Sequence, residues 1–362
     1  MSAREMNFAA ETGKCWEVRS NALADVANLL QQVSLFQPTI SIVGGFPKSL
    51  LSFPPCYNPA PMNDNTNAAQ VEALTEINLD DFFESTGLAQ LRRGRRLLRW
   101  LFRPAAHRFA EVVAAFDEMV GERGLQAGSA WLLKRMTRRL EVAGRENIPA
   151  DGPALVLANH PGMADTIGLF TSVPRPDLRI IALARPFLHA LPNVSRQLIF
   201  VPTEGDRMPV VRAAARHLRE GRAVLTCPAG EIEPDPAVLP GAVESLQRWS
   251  QSIGLFARLV PQMRIVPAIV SGVVSRAALR NSLTHLRRTR KDRERMAAAL
   301  QVMIPAYQGT TVRVAFGPPL TGAELIAASA DAAAITRAVA ARARRLLEAP
   351  PTTWETLLIG DR

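Results

Sequence analysis

The sequence predicts an α/β chain: a mostly parallel sheet covered by helices, preceded by a basic N-terminal helical hairpin. Two observations carry this. From residue 141 to 347 short apolar runs alternate with helix-spaced segments, as in βα units, and between 86 and 140 arginines and leucines recur at helical spacing. The organisation that follows is 1–85 as a poorly structured or appended segment, 86–140 as the hairpin, 141–350 as the main domain and 351–362 as a tail.

Composition bounds the classes. The 362 residues suffice for one large domain or two ordinary ones, and 48% hydrophobic against 21% charged is ordinary for a globular chain. The net charge of +10 is not, and it rests on 39 arginines against 4 lysines. A high-GC genome gives such a bias, yet a basic surface is also drawn to phosphate. Cys15, Cys56 and Cys227 are too few and too scattered for a disulfide framework or a zinc site, which fits a reducing cytoplasm. No run reaches a membrane span and no signal peptide is evident, so any membrane contact is expected to be peripheral.

In chain order, Pro54-Pro55, Asn58-Pro59-Ala60-Pro61 and Asn63-Asp64-Asn65-Thr66-Asn67 read as a linker, and Met62 would open a plausible shorter protein. Arg92, Arg96, Arg99 and Arg103 line one helical stripe opposite Leu91, Leu98, Leu101 and Phe102. With Trp131 to Leu140 they suggest a hairpin lying on an anionic surface, or else a packed pair with solvated arginines. Nucleic acid is not expected, because no known motif or aromatic-interleaved patch accompanies the charge. Strands are read near 141–143, 154–158, 178–184, 198–202, 223–226, 264–270 and 311–316. Helices are read at 166–173, 207–220, 242–259 and 323–347.

The 154–158 run ends in Asn159-His160-Pro161-Gly162, with Asp165 five residues after the histidine. His160 falls at the carboxyl end of a strand, where open α/β sheets place their chemistry, and Asp165 opens the next helix. A carboxylate on one ring nitrogen fixes the tautomer and readies the other to take a proton. Taken alone, the pair reads more simply as a loop histidine beside an N-cap aspartate. The later blocks reverse that balance. Phe200 to Arg207, Thr226 to Glu231, Val266 to Ile269 and Phe316 to Leu320 follow in order.

Together these blocks resemble the glycerolipid acyltransferases typified by 1-acyl-glycerol-3-phosphate acyltransferase, whose first block is N-H-x4-D. The resemblance covers roughly residues 140 to 347 and implies transfer of a fatty acyl group from acyl-CoA or acyl-carrier protein to a lyso-lipid hydroxyl. It implies His160 as general base, Asp165 as its orienter, and Asn159, Arg207, Gly230 and Glu231 as substrate-binding residues, with Arg207 on a phosphate. No bound cofactor and no metal are expected. The setting implied is a bacterial enzyme on the inner face of the cytoplasmic membrane. Two departures matter: the third block holds Ala229 and Ile232 where the family has a glutamate and a phosphate-binding arginine. Pro228-Ala229-Gly230-Glu231 is closer to the hemolysin-like branch, which includes acyltransferases of lyso-ornithine lipids. The acceptor is therefore expected to differ from lysophosphatidic acid, with Glu231 available to an amino group, while phosphate binding by Arg207 or another arginine keeps lysophosphatidic acid as the alternative. Cys227 as an acyl-thioester nucleophile is the rival reading, although a cysteine ending a buried strand is usually packed. His107, His189, His217 and His285 have no partner at a readable spacing, and a metal role for Glu233 and Asp235 is unsupported. A non-catalytic lipid-binding protein and an acyl-thioester hydrolase remain alternatives, the second without a G-x-S-x-G elbow.

Overall fold

The computed structural model describes residues 64–90, 94–285, 287–329 and 331–360. Among these, nine strands form one sheet in the order β4-β3-β5-β2-β6-β7-β1-β9, with β8 pairing β6. The strands are β1 (Thr137–Ala143), β2 (Ala154–Ala158), β3 (Arg179–Leu183), β4 (Leu198–Val201), β5 (Ala223–Thr226), β6 (Arg264–Ser271), β7 (Thr310–Phe316), β8 (Leu320–Thr321) and β9 (Glu355–Ile359). The five strands β4, β3, β5, β2 and β6 run parallel, and β7 turns antiparallel to β6. Buried β2 lies between β5 and β6 in this parallel half, and its side chains alternate between two cores. Ala154, Val156 and Ala158 face the core under the N-terminal helices, whereas Leu155 and Leu157 face the other.

Three long helices precede and flank the sheet: α1 (Asp64–Thr86), α2 (Arg95–Arg123) and α3 (Leu125–Met136). The hairpin is real, since only Gly124, at φ +85°, separates α2 from α3. Its second arm ends earlier than the sequence suggests. Thr137 to Leu140 are strand, because β7 in parallel and β9 antiparallel offer a ladder that outweighs their helix-like composition. The supposed tail supplies β9. Among the further helices, α4 (Met163–Ser172) and α5 (Met208–Arg219) follow β2 and β4. The stretch read as one helix over 242–259 is broken: Trp249 is extended, and α6 spans Ser252–Leu259. After α7 (Arg290–Met303), the stretch 323–347 divides into α8 (Gly322–Ala328) and α9 (Ala332–Glu348), the latter capped by Asp331 on the Ala333 and Ala334 amides.

The linker reading fails from residue 64 onward. Leu74, Leu79 and Phe83 of α1 are at most 1% exposed, and Phe82 and Phe83 pack with Leu98, Ala106 and Met303. Residues 1–63, including Pro54 to Pro61, lie outside the described residues. Two arginines of the α2 stripe are also spoken for: Arg99 pairs with Glu76 and Asp80, and Arg103 with Glu72 and Glu76, all on α1. Arg92 is outside the described residues. If α1 belongs to the fold, Phe83→Ala should cost about 3 kcal/mol in urea unfolding, the usual loss for a truncated buried phenylalanine; unchanged stability would restore the linker.

Candidate active site

The polypeptide leaves β2 at Ala158 and must turn before α4, and the side chains of Asp165, His160 and Thr166 hold that turn. Asp165 lies in the first turn of α4 and is 0% exposed. Its Oδ2 accepts from the Gly162 amide at 3.0 Å and meets His160 Nδ1 at 2.9 Å, and its Oδ1 accepts from the amide and, at 2.8 Å, the hydroxyl of Thr166. A carboxylate can only accept, so Nδ1 carries the ring proton and Nε2 keeps its lone pair. The His160 side chain remains 30% exposed. Burial of the ring pushes its pKa down, but the Asp165 charge and hydrogen bond, with Glu233 behind them, prevail and raise it above the ordinary 6.5.

The turn after β5 is fastened to the same place. The His160 amide donates to Glu233 Oε2 at 3.0 Å, and the Glu233 amide donates to the His160 carbonyl at 2.8 Å. Glu233 is 2% exposed and also accepts from the Trp249 indole at 3.3 Å, which explains why Trp249 interrupts the helix there. Burial raises the Glu233 carboxyl pKa against these donors. Asp235, 0% exposed, accepts from the amides of Ala237, Gly272 and Val274, tying this turn to the end of β6. Both carboxylates are thus committed to the chain itself.

The other expected site residues divide. Gly230 closes a turn on the Cys227 carbonyl at φ +67°, in the left-handed region that favours glycine, with open space where a Cβ would stand. Asn159 is not available to a substrate: it is 3% exposed and exchanges two hydrogen bonds with the Val270 backbone, at 2.9 and 2.7 Å. Glu231 is not free for an amino group, since Arg248 Nε pairs with it at 2.9 Å. Arg207 is exposed ahead of α5, and no hydrogen bond or ion pair joins it to His160 or Asp165. Cys227 is a poor nucleophile, because burial, with the Asp165 and Glu233 charges, raises its thiol pKa well above the ordinary value.

One cation escaped the sequence reading. Arg185 is exposed two residues beyond β3, and its charge acts on both His160 and Asp81 of α1. Its signal was available in principle, since a polar residue just past a parallel strand lies at the functional edge of the sheet. Among the other histidines, His107 meets Thr75, His189 stacks on Phe200, and His217 contacts the Asp177 carbonyl. His285 is exposed.

Residues 139–271 match a family model described as Acyltransferase. Two proteins described as uncharacterized, from Mycobacterium tuberculosis and Mycobacterium bovis, are each 36% identical over 100 residues, which is 25% of this chain and 26% of theirs. The match therefore spans about a quarter of the length of these curated relatives. The solved structure of the 1-acyl-sn-glycerophosphate (LPA) acyltransferase PlsC from Thermotoga maritima is similar at 16% identity and a TM-score of 0.38, over 81% of this chain and 100% of that one.

Proposed function

We propose, from the match of residues 139–271 to a family model described as Acyltransferase, that this chain moves a fatty acyl group from a thioester donor, acyl-CoA or acyl-carrier protein, to a hydroxyl of a lyso-lipid. The observation that carries the reading is the 2.9 Å contact of His160 Nδ1 with a fully buried Asp165, which leaves Nε2 as a base at the open edge of the sheet. Nε2 takes the acceptor's hydroxyl proton as that oxygen attacks the thioester carbonyl carbon. The C–S bond then breaks, and the proton passes from Nε2 to the leaving thiolate. Asp165 stabilises the imidazolium in between. Arg185 is the exposed cation whose charge reaches His160, so it suits an anionic head group where the third block lacks an arginine at Ile232.

The setting fits a bilayer surface. No described helix is long and apolar enough to cross a membrane. Trp100 of α2 is 49% exposed and Arg96, one turn before it, is exposed too, a pairing suited to the headgroup layer of the inner face of the cytoplasmic membrane.

His160→Ala should lower acyl transfer by about 10²- to 10⁴-fold, the usual contribution of a positioned base, with Asp165→Asn strongly impaired and Cys227→Ala active. Labelled palmitoyl thioesters offered with a panel of lyso-lipids, with products read by mass, check this. Full activity in His160→Ala would end the proposal, free fatty acid without acylated product would mean a hydrolase, and lipid binding without turnover a binding protein. Trp100→Ala should reduce sedimentation with anionic vesicles about twofold or more; an unchanged share would remove α2 from the membrane contact.

A further inference from the structure

His160 is held at two places, and only one of them is its ring. Asp165 fixes the ring, whereas the backbone is fixed by Glu233, 73 residues further along the chain. The grip is reciprocal. Glu233 Oε2 accepts from the His160 amide at 3.0 Å, and the His160 carbonyl accepts from the Glu233 amide at 2.8 Å. Burying an ionised carboxylate is expensive, and a neutral side chain can tie a loop to a strand without that cost. Asn159 does so next door, on the Val270 backbone. The charge at Glu233 therefore calls for an account of its own. Its surroundings favour the ionised form against burial: the Trp249 indole donates to Oε1 at 3.3 Å, and the Ser245 hydroxyl and His160 amide act in the same direction. Each oxygen thus meets an N–H donor. A carboxylate accepts from both, whereas a neutral amide would turn its NH2 toward one of them.

Three charged groups act on the His160 ring. Asp165 of α4 and Glu233 after β5 favour the imidazolium, and Arg185 after β3 opposes it. Cys227, at the start of the Glu233 turn, stays a thiol and adds no charge. We propose that Glu233 is a second positioning residue for the base: it holds the His160 backbone as Asp165 holds the ring, its charge supports the imidazolium, and Trp249 holds Glu233 in turn. The inference rests on the acyl-transfer reading and adds a residue to its machinery. Grip and charge can be separated by substitution. Glutamine keeps the length of the side chain and loses the charge, whereas aspartate keeps the charge and falls one methylene short of the His160 amide.

In the full chain, Glu233→Gln should lower kcat about tenfold or more and leave KM for palmitoyl-CoA within about twofold, since a displaced base slows the chemical step and spares donor binding. The acidic limb of kcat/KM should also move to lower pH, because the imidazolium loses one of its two anionic neighbours. Glu233→Asp should lower kcat with the limb where the wild type has it. Trp249→Phe, which removes the indole N–H, should lower kcat about threefold or more. Nitrogen NMR of the histidine rings, with the His160 signal assigned by its loss in His160→Ala, reads the same titration without turnover, and there Glu233→Gln should lower the pKa of His160. Wild-type kcat in Glu233→Gln, a loss confined to KM, or a limb and ring titration that stay in place would each overturn the proposal. Should Glu233→Gln not fold, an unchanged kcat in Trp249→Phe would overturn it as well. If the wild type transfers from no donor while Glu233→Gln still lowers the ring titration, the acyl-transfer reading fails and the assignment of Glu233 stands.

Discussion

The buried carboxylate of Asp165 is the constraint from which the site follows. Left unpaired in a protein interior it would cost several kcal/mol, so the fold must surround it with donors. It does so locally: the Gly162 amide, the amide and hydroxyl of Thr166, and the His160 ring all point at it. The positive end of α4 adds to these. The turn from Asn159 to Thr166 therefore has little freedom, and the histidine inherits its rigidity. Around it, Asn159 grips β6, Glu233 grips the His160 backbone, and Asp235 grips the segment after β6. Three loops at one edge of the sheet are thereby fixed as one piece, which is what a positioned base requires.

What the sequence revealed and what it hid divide along contact distance. The continuous apolar runs of β2 and β5 mark buried parallel strands, and their ends were legible to the residue. The beginning of β1 was not, because Thr137 to Leu140 carries a helix-like mixture and its ladder partners lie far along the chain. His160 and Asp165 were legible because their contact is five residues long. Asn159 stands in the same legible block, but its partner does not: the Val270 backbone it grips is 111 residues away. Glu233 shows the same limit: it stands 73 residues from His160, and nothing near it announces that its carboxylate meets a backbone amide there.

Charge was the least legible property. The sequence displays an arginine stripe on α2, and spacing alone does not show what answers it. The answer comes from α1, which reads as linker at its start and yet supplies Glu72, Glu76 and Asp80 to Arg99 and Arg103. Surface pairs of this kind contribute little stability each, but they decide which cations remain open to a partner.

The central claim is that His160, held by Asp165, takes the acceptor's proton. The most direct measurement is kcat/KM for acyl transfer against pH, in the wild type and in Asp165→Asn. The base must be neutral to act, so with a pKa raised above 6.5 the rate should climb as the pH rises through that value and be depressed below it. Losing the carboxylate should move this limb to lower pH while lowering the plateau. A limb that stays in place in Asp165→Asn, or a wild-type profile flat across that range, would contradict the account.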